Sequence, residues 1–198
     1  MVSGAYASAT DWTVYVKAAD QSGANALNTG VIMGTKTGAL DGQDTNDASN
    51  GPGTGAAQVA LGCFDLGPGT AGNGYYKDLR APGTTNLTWN LKLWLMDSCQ
   101  ATGIKLTGWN PTGTYDLPTT QPMKLSIPAL GWSYIFDGTQ NGSSTAPLFT
   151  FTINEAQQYK GLSNALDVIF APVPEPGSIL ALASGLVGLV GFGIRRRK

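Results

Sequence analysis

Three aspartates lie close together in a polar stretch, at spacings that could bind a metal ion. Asp41, Asp44 and Asp47 are separated by Gly, Gln, Thr and Asn residues. Calcium takes oxygen ligands from flexible loops rich in Asp and Asn, so a calcium site is one interpretation. The residue order is not that of an EF-hand, and Asp and Asn also cap turns without any ligand. Residues 41–55 are poor in apolar residues, which predicts a surface loop.

A charged pair follows further along the chain. Asp78 and Arg80 are two residues apart in a segment with strand character, so both side chains should lie on the same face of the strand. They could pair with each other or with charges on a neighbouring strand. A structural ion pair is the simpler interpretation, and a pair that binds a ligand is the alternative.

Several kinds of catalytic site are excluded by composition. The chain has no histidine, which rules out Ser-His-Asp triads and His-ligated zinc. A hydrolase with paired aspartates would need two carboxylates about 5 to 9 Å apart across a cleft. Most of the acidic residues lie in turn-like sequence instead, and Glu155 is the only glutamate before the terminal region. We therefore expect a protein that is not an enzyme, with calcium as the one conceivable cofactor.

Aromatic residues raise the question of carbohydrate binding, because aromatic faces stack on sugar rings. Strand alternation places Trp12 and Trp89 in the core, whereas Trp94 is on the face opposite its leucine neighbours and Trp109 adjoins an Asn-Pro turn. Trp94 and Trp109 are therefore the candidates for exposure, and together with Tyr75 they are the predicted sugar-binding residues. The alternative is that neighbouring loops cover these rings.

The elements that must position these residues are predicted to be strands. Apolar residues alternate with polar ones at period two, most clearly at residues 87–95, and the 27 glycines and 11 prolines provide turns. No amphipathic helix precedes residue 172. This pattern predicts an all-β fold, an antiparallel β-sandwich of immunoglobulin or jelly-roll type. The first candidate strand runs from Trp12 to Ala18. The others cover residues 31–33, 58–64, 75–80, 104–106, 123–127, 132–136, 149–153 and 166–170.

The last 27 residues read PVPEPGSILALASGLVGLVGFGIRRRK. An uncharged run at 177–194, at about 1.5 Å per residue, is roughly 27 Å long as a helix, enough to cross the hydrocarbon core of a bilayer. Positive charges next to a span stay on the cytoplasmic side, which places the rest of the chain outside the cytoplasm. The span lies between a Pro-Glu-Pro triplet and a basic cap, formed by Pro174, Glu175 and Pro176 and by Arg195, Arg196, Arg197 and Lys198.

This order of triplet, apolar span and basic cap resembles the PEP-CTERM sorting signal of Gram-negative bacteria that make extracellular polysaccharide. The resemblance implies processing near the triplet by a membrane protease of the exosortase type. The protein would be anchored in the inner membrane before processing and then reach the cell surface or the extracellular space. An ordinary tail anchor with a stiff proline spacer is the alternative.

The chain thereby divides into three predicted parts: residues 1–9, a body at 10–171 and the sorting tail at 172–198. The first part contains two small-residue patterns like the cleavage site of a signal peptide. We interpret it as the remnant of a cleavage region and expect a basic and apolar signal sequence upstream.

Export would take the two cysteines into an oxidising compartment. Cys63 and Cys99 are the only cysteines, so the sequence predicts a disulfide between them. Two buried thiols that pack as small apolar groups are the alternative.

A second resemblance concerns the body. The segments GALDGQD, YYKDLRAP, LTWNLKLW, IKLTGWNPTGTYDL, MKLSI and GWSYIFDG, spread over residues 31–153, look like an immunoglobulin-like sandwich module of bacterial secreted proteins. The resemblance implies a fold and a cellular role but no reaction.

These features give three hypotheses for function. The leading one is a non-enzymatic protein of the cell surface, extracellular matrix or biofilm, with a structural or adhesive role. The alternatives are a carbohydrate-binding module for exopolysaccharide and a subunit that pairs with copies of itself in a filament. Nucleic acid is not an expected partner, because the body has a small excess of acidic residues.

Overall fold

The computed structural model describes residues 11–22, 26, 30–49, 58–69, 72–84, 87–110 and 117–174. Within these residues the regular elements are strands and short 3-10 turns, so the all-β prediction is confirmed. The strands are β1 (Trp12–Asp20), β2 (Val31–Thr35), β3 (Ala48–Ser49), β4 (Val59–Cys63), β5 (Tyr75–Arg80), β6 (Trp89–Leu95), β7 (Gly103–Trp109), β8 (Met123–Ile127), β9 (Trp132–Phe136), β10 (Phe149–Asn154) and β11 (Leu166–Pro172).

The strands form one continuous hydrogen-bonded sheet. Its order is β10-β7-β1-β2-β5-β4-β6-β11-β8-β9, and β3 pairs with β5 outside this path. Strands β2 and β5 run parallel, and β4 meets β5 at a single pair, Cys63 with Tyr75. The predicted sandwich of two antiparallel sheets is thus corrected to one nearly closed, barrel-like sheet. Period-two alternation determines which face a residue occupies, but not the partner or direction of its strand.

Aromatic rings from distant strands fill the interior. Trp12 on β1 lies 5.9 Å from Trp89 on β6 and 6.4 Å from Phe170 on β11, measured between ring centroids. Phe136 on β9 lies 5.9 Å from Phe170. Since β1 and β6 are far apart along the sheet, these contacts require the sheet to curl around a shared core. Trp12, Trp89 and Phe170 are fully buried there.

The two ends of the sheet, β9 and β10, meet through side chains. No pairing between these two strands occurs in the described part of the chain. Instead, the rings of Trp132 and Phe151 stack at 4.5 Å, and those of Tyr134 and Phe149 lie 4.8 Å apart. A Cβ on Gly108 of β7 would come 2.2 Å from the Phe149 ring. Gly108 therefore provides the space that Phe149 needs to close the barrel.

The predicted membrane span at 177–194 and the basic cap lie outside the described residues, as do residues 1–9. Over the ranges that the structure covers, no helix combines the length and apolarity needed to cross a bilayer.

Candidate functional site

A buried charged cluster lies on β5. Asp78 and Arg80 occupy alternate positions of this strand and have side chains only 1% and 3% exposed. An Arg80 guanidinium nitrogen lies 3.4 Å from an Asp78 carboxylate oxygen. The ion pair predicted from their spacing is therefore confirmed. Ions this deeply buried must be compensated, since taking charges out of water costs several kcal/mol per ion.

Asp65 completes the charge balance of Arg80. The guanidinium donates to Asp65 Oδ2 at 2.9 Å, a shorter contact than the one with Asp78. Asn90 fixes the Asp65 carboxylate from the other side, because its backbone and side-chain nitrogens donate to it at 2.8 and 2.7 Å. The Asp65 side chain is 21% exposed, so the cluster reaches the surface at this residue. The role of Asp65 could not be predicted from the sequence, because this residue lies in the turn after β4 and no strand pattern surrounds it.

Trp89 covers the ion pair from the core side. The Arg80 guanidinium carbon lies 4.4 Å from the centre of the indole ring, within the range of a cation–π interaction. The indole Nε1 donates to the backbone carbonyl of Asp78 at 3.2 Å. One tryptophan thereby contacts both charged residues.

The Cys63 thiol points into the same cluster. Its Sγ lies 3.2 Å from Asp78 Oδ2 and 3.6 Å from Asp65 Oδ2. Burial, together with these two carboxylates, raises the pKa of the thiol far above its ordinary value. The thiol therefore stays protonated and donates a hydrogen bond to a carboxylate.

This arrangement resembles a metal site in composition but not in chemistry. Among the described residues, Cys63, Asp65 and Asp78 are the one set of three whose ligand atoms lie within 4.8 Å of one another. However, Arg80 already contacts both carboxylates, and thiolate rather than thiol is the form of cysteine that binds metals. The geometry is that of a structural ion pair.

The predicted disulfide between Cys63 and Cys99 is wrong for this structure, in which both are buried free thiols. Cys63 pairs with Leu91 in the β4–β6 ladder, whereas Cys99 follows the end of β6 at Leu95. Leu91, the partner of Cys63, lies roughly 13 Å along β6 from Leu95, at about 3.3 Å per residue. A disulfide requires Cα atoms within about 7 Å of each other.

Thiol labelling can test this assignment. We expect native protein to resist alkylation at both cysteines, since both are buried and Cys63 is held as a thiol. After unfolding without reductant, both should react, and the mass should rise by two adducts. Cysteines that stay unlabelled after unfolding would indicate a bridge. Rapid labelling of Cys63 in the native protein would contradict the protonated, buried thiol.

The aspartates predicted to bind calcium hold the turn between β2 and β3. Asp44 accepts hydrogen bonds from the backbone amides of Leu40 at 2.6 Å and Asn46 at 2.5 Å. Burial alone would raise the pKa of Asp44, but these hydrogen bonds outweigh it and lower the pKa. Asp47 accepts from the amides of Leu79 at 3.0 Å and Asp44 at 2.9 Å. For Asp47 the effect of burial is larger, and its pKa is raised.

Asp41 joins the same turn to the chain after β5. It accepts from the backbone amide of Ala81 at 3.3 Å and from the Thr84 hydroxyl at 2.7 Å. The three aspartates do not converge as one set of metal ligands in the described structure. Their geometry is that of turn capping, the alternative considered above.

The residues predicted to bind sugar are covered by protein. Tyr75, Trp94 and Trp109 are only 5%, 3% and 8% exposed. Trp94 packs against Phe64 at 6.1 Å, and Trp109 stacks on Tyr15 at 5.4 Å. The prediction that Trp94 and Trp109 are exposed is wrong, because the outer face of the sheet is also covered at these positions. A groove of about 330 Å³ does pass beside Trp94, but too little of the ring is accessible there for a sugar to stack on it.

The junction between the body and the sorting tail lies at β11. This strand is internal to the sheet and pairs with β6 on one side and β8 on the other. Beyond its end, the amide of Val173 donates to the carbonyl of Pro122 at 3.0 Å. Pro174, the first residue of the Pro-Glu-Pro triplet, is exposed. The described residues thus form an all-β, barrel-like domain, and the triplet begins at Pro174, two residues beyond the end of β11.

Comparison with known families identifies the terminal signal. A model of the PEP-CTERM protein-sorting motif matches residues 172–198, so the chain carries this motif, as its triplet, span and basic cap predicted. The motif implies export, anchoring in the membrane before processing and a processing partner of the exosortase type. No curated protein and no solved structure matches the chain. The resemblance of the body to an immunoglobulin-like module is therefore not confirmed.

Proposed function

We propose that this chain is an exported, non-enzymatic protein of the cell surface or extracellular matrix, with a structural or adhesive role. The observation that carries the proposal is the sorting motif at 172–198, which begins at the last residue of β11. The role of the tail is then to deliver the folded body, and the role of the body is to persist outside the cell.

The hydrogen bonds and ion pairs of the aspartate carboxylates support a role without catalysis. The carboxylates of Asp65 and Asp78 are engaged with Arg80, and those of Asp44 and Asp47 accept hydrogen bonds from backbone amides. The Asp41 carboxylate accepts a hydrogen bond from the Thr84 hydroxyl. A general acid or nucleophile must instead reach a substrate with a free oxygen. A core filled with aromatic rings and closed by side-chain stacking favours a durable domain.

A bacterial strain that lacks the chain tests this role. We expect it to attach less well to surfaces and to form a less cohesive matrix than its parent, with recovery when the wild-type chain is restored. Matrix polysaccharide incubated with the purified mature protein should keep its chain length, because no bond is cut. Shortened polysaccharide would indicate an enzyme, and unchanged attachment would contradict the adhesive role.

Self-association is a second candidate, favoured by the two edges of the sheet. The edge strands, WSYIF in β9 and FTFTIN in β10, contain no charged residue, and Ile135 on β9 is 48% exposed. Natural edge strands are usually guarded against pairing by charges or prolines. Sedimentation velocity of the released protein separates the two roles, because a filament subunit forms large particles and an isolated surface protein remains monomeric.

A further inference from the structure

A small cleft on the outer face of the sheet contains two lysines. It lies where β1 and β7 pair, beside the loop that precedes β10. Its volume is about 100 Å³, and it is lined by Lys17, Ala19, Lys105, Thr107 and Ser144. A water molecule occupies about 30 Å³ in the liquid, so the cleft has room for one small charged group.

The register of the two strands places the lysines next to each other. Lys17 on β1 pairs with Thr107 on β7, and Lys105 lies two residues away from Thr107 on the same face. Diagonal neighbours of this kind have Cα atoms about 7 to 8 Å apart. Both side chains are half-buried, and neither forms an ion pair with another residue that the structure describes. Their positive charges repel each other, and an anion between them would relieve that repulsion.

The surroundings of the lysines are neutral and rich in hydroxyl groups. Among the residues of β1, β7 and β10, no outward side chain is a carboxylate, since Asp20 at the end of β1 pairs with the inward-facing Ile104. Thr152 on β10 pairs with Lys105, and both Thr150 and Thr152 are exposed. A hydroxyl group both donates and accepts hydrogen bonds. This face therefore suits a ligand that combines negative charge with many hydroxyl groups.

We propose that this cleft binds the carboxylate groups of an acidic polysaccharide. Lys17 and Lys105 hold the carboxylate, and the neighbouring threonines hydrogen-bond to sugar hydroxyls. Charge complementarity carries the assignment, because two unpaired ammonium groups face solvent together in a body that otherwise has an excess of acidic residues. That excess disfavours a densely charged nucleic acid. The inference rests on the adhesive role proposed above and names the partner to which the protein adheres.

Binding to alginate, a linear polymer of carboxylated sugars, tests the proposal with the protein isolated from the cells that make it. An exposed ion pair is weak by itself, so binding should need a polymer that presents many carboxylates to many copies of the protein. The protein should bind to alginate-coated beads but not to beads coated with neutral dextran, and rising salt should release it. Replacement of both lysines, Lys17→Gln with Lys105→Gln, should weaken binding about tenfold or more.

A second double variant, Lys124→Gln with Lys160→Gln, is the matched control. It removes the same charge from other parts of the surface, on β8 and beside Leu95 at the end of β6, and it should bind alginate as the wild type does. Equal losses in both double variants would overturn the proposal, as would binding to dextran or binding to dextran sulfate without binding to alginate. Thermal unfolding of each variant separates lost binding from lost folding.

The strain that lacks the chain distinguishes this proposal from the proposed function. Poor attachment of that strain, together with a purified protein that does not bind alginate, would overturn the carboxylate site alone. Normal attachment of that strain, together with lysine-dependent binding of alginate, would contradict the adhesive role and support the site.

Discussion

Replacing Pro174, Glu175 and Pro176 together by alanine is expected to leave the protein uncut in the membrane fraction. The substitutions keep the apolar run at 177–194, and burial of such a run in lipid holds a chain at the membrane. Release requires removal of that run, and the triplet is the part of the motif nearest the body. The measurement is the ratio of released to membrane-bound protein in cells that express each variant.

A block of three alanines elsewhere provides the control for this prediction. Ser143, Ser144 and Thr145 lie in an exposed loop, so their replacement should leave release unchanged. Efficient release of the triplet variant would show that the motif is not used for sorting. A plain tail anchor would then be the better description of the C-terminal region.

The replacement of Arg80 by alanine should cost the body about 3 to 5 kcal/mol of unfolding free energy, the range found when one partner of a buried ion pair is removed. Asp78, only 1% exposed, would lose the guanidinium that compensates its charge. The Trp89 ring would also lose the cation above it. Domains of this kind have about 5 to 15 kcal/mol of stability in total, so the variant should be close to unfolding.

The exposed ion pair between Lys92 and Asp167 is the matched comparison. Its charged atoms are 2.7 Å apart, but the two side chains are 39% and 69% exposed. Lys92→Ala should therefore cost no more than about 1 kcal/mol. Urea unfolding of the mature protein gives both values. Equal losses in the two variants would contradict the structural role of the buried cluster.

The sequence predicted the strands better than their arrangement. Alternation from Trp89 to Leu95 identified β6 because one face of that strand packs in the core. The parallel pairing of β2 with β5 could not be predicted, since a side-chain period contains no information on strand direction. The single Cys63–Tyr75 bridge that joins the two parts of the sheet is likewise a tertiary feature.

The same distinction holds for the candidate site. The Asp78–Arg80 pair was predictable because residues two apart on a strand share a face. Asp65 joins the pair only because the turn after β4 lies beside β5 in the folded chain. The exposure of Trp94 was mispredicted, since alternation shows only that a residue is opposite the core and not that Phe64 covers it.

The mass of the mature protein, isolated from the cells that make it, tests the central claim most directly. A chain delivered by its PEP-CTERM motif should be found outside the membrane without residues 195–198 and without most of the apolar run at 177–194. An extracellular or surface form whose mass still includes Lys198 would contradict sorting by this motif.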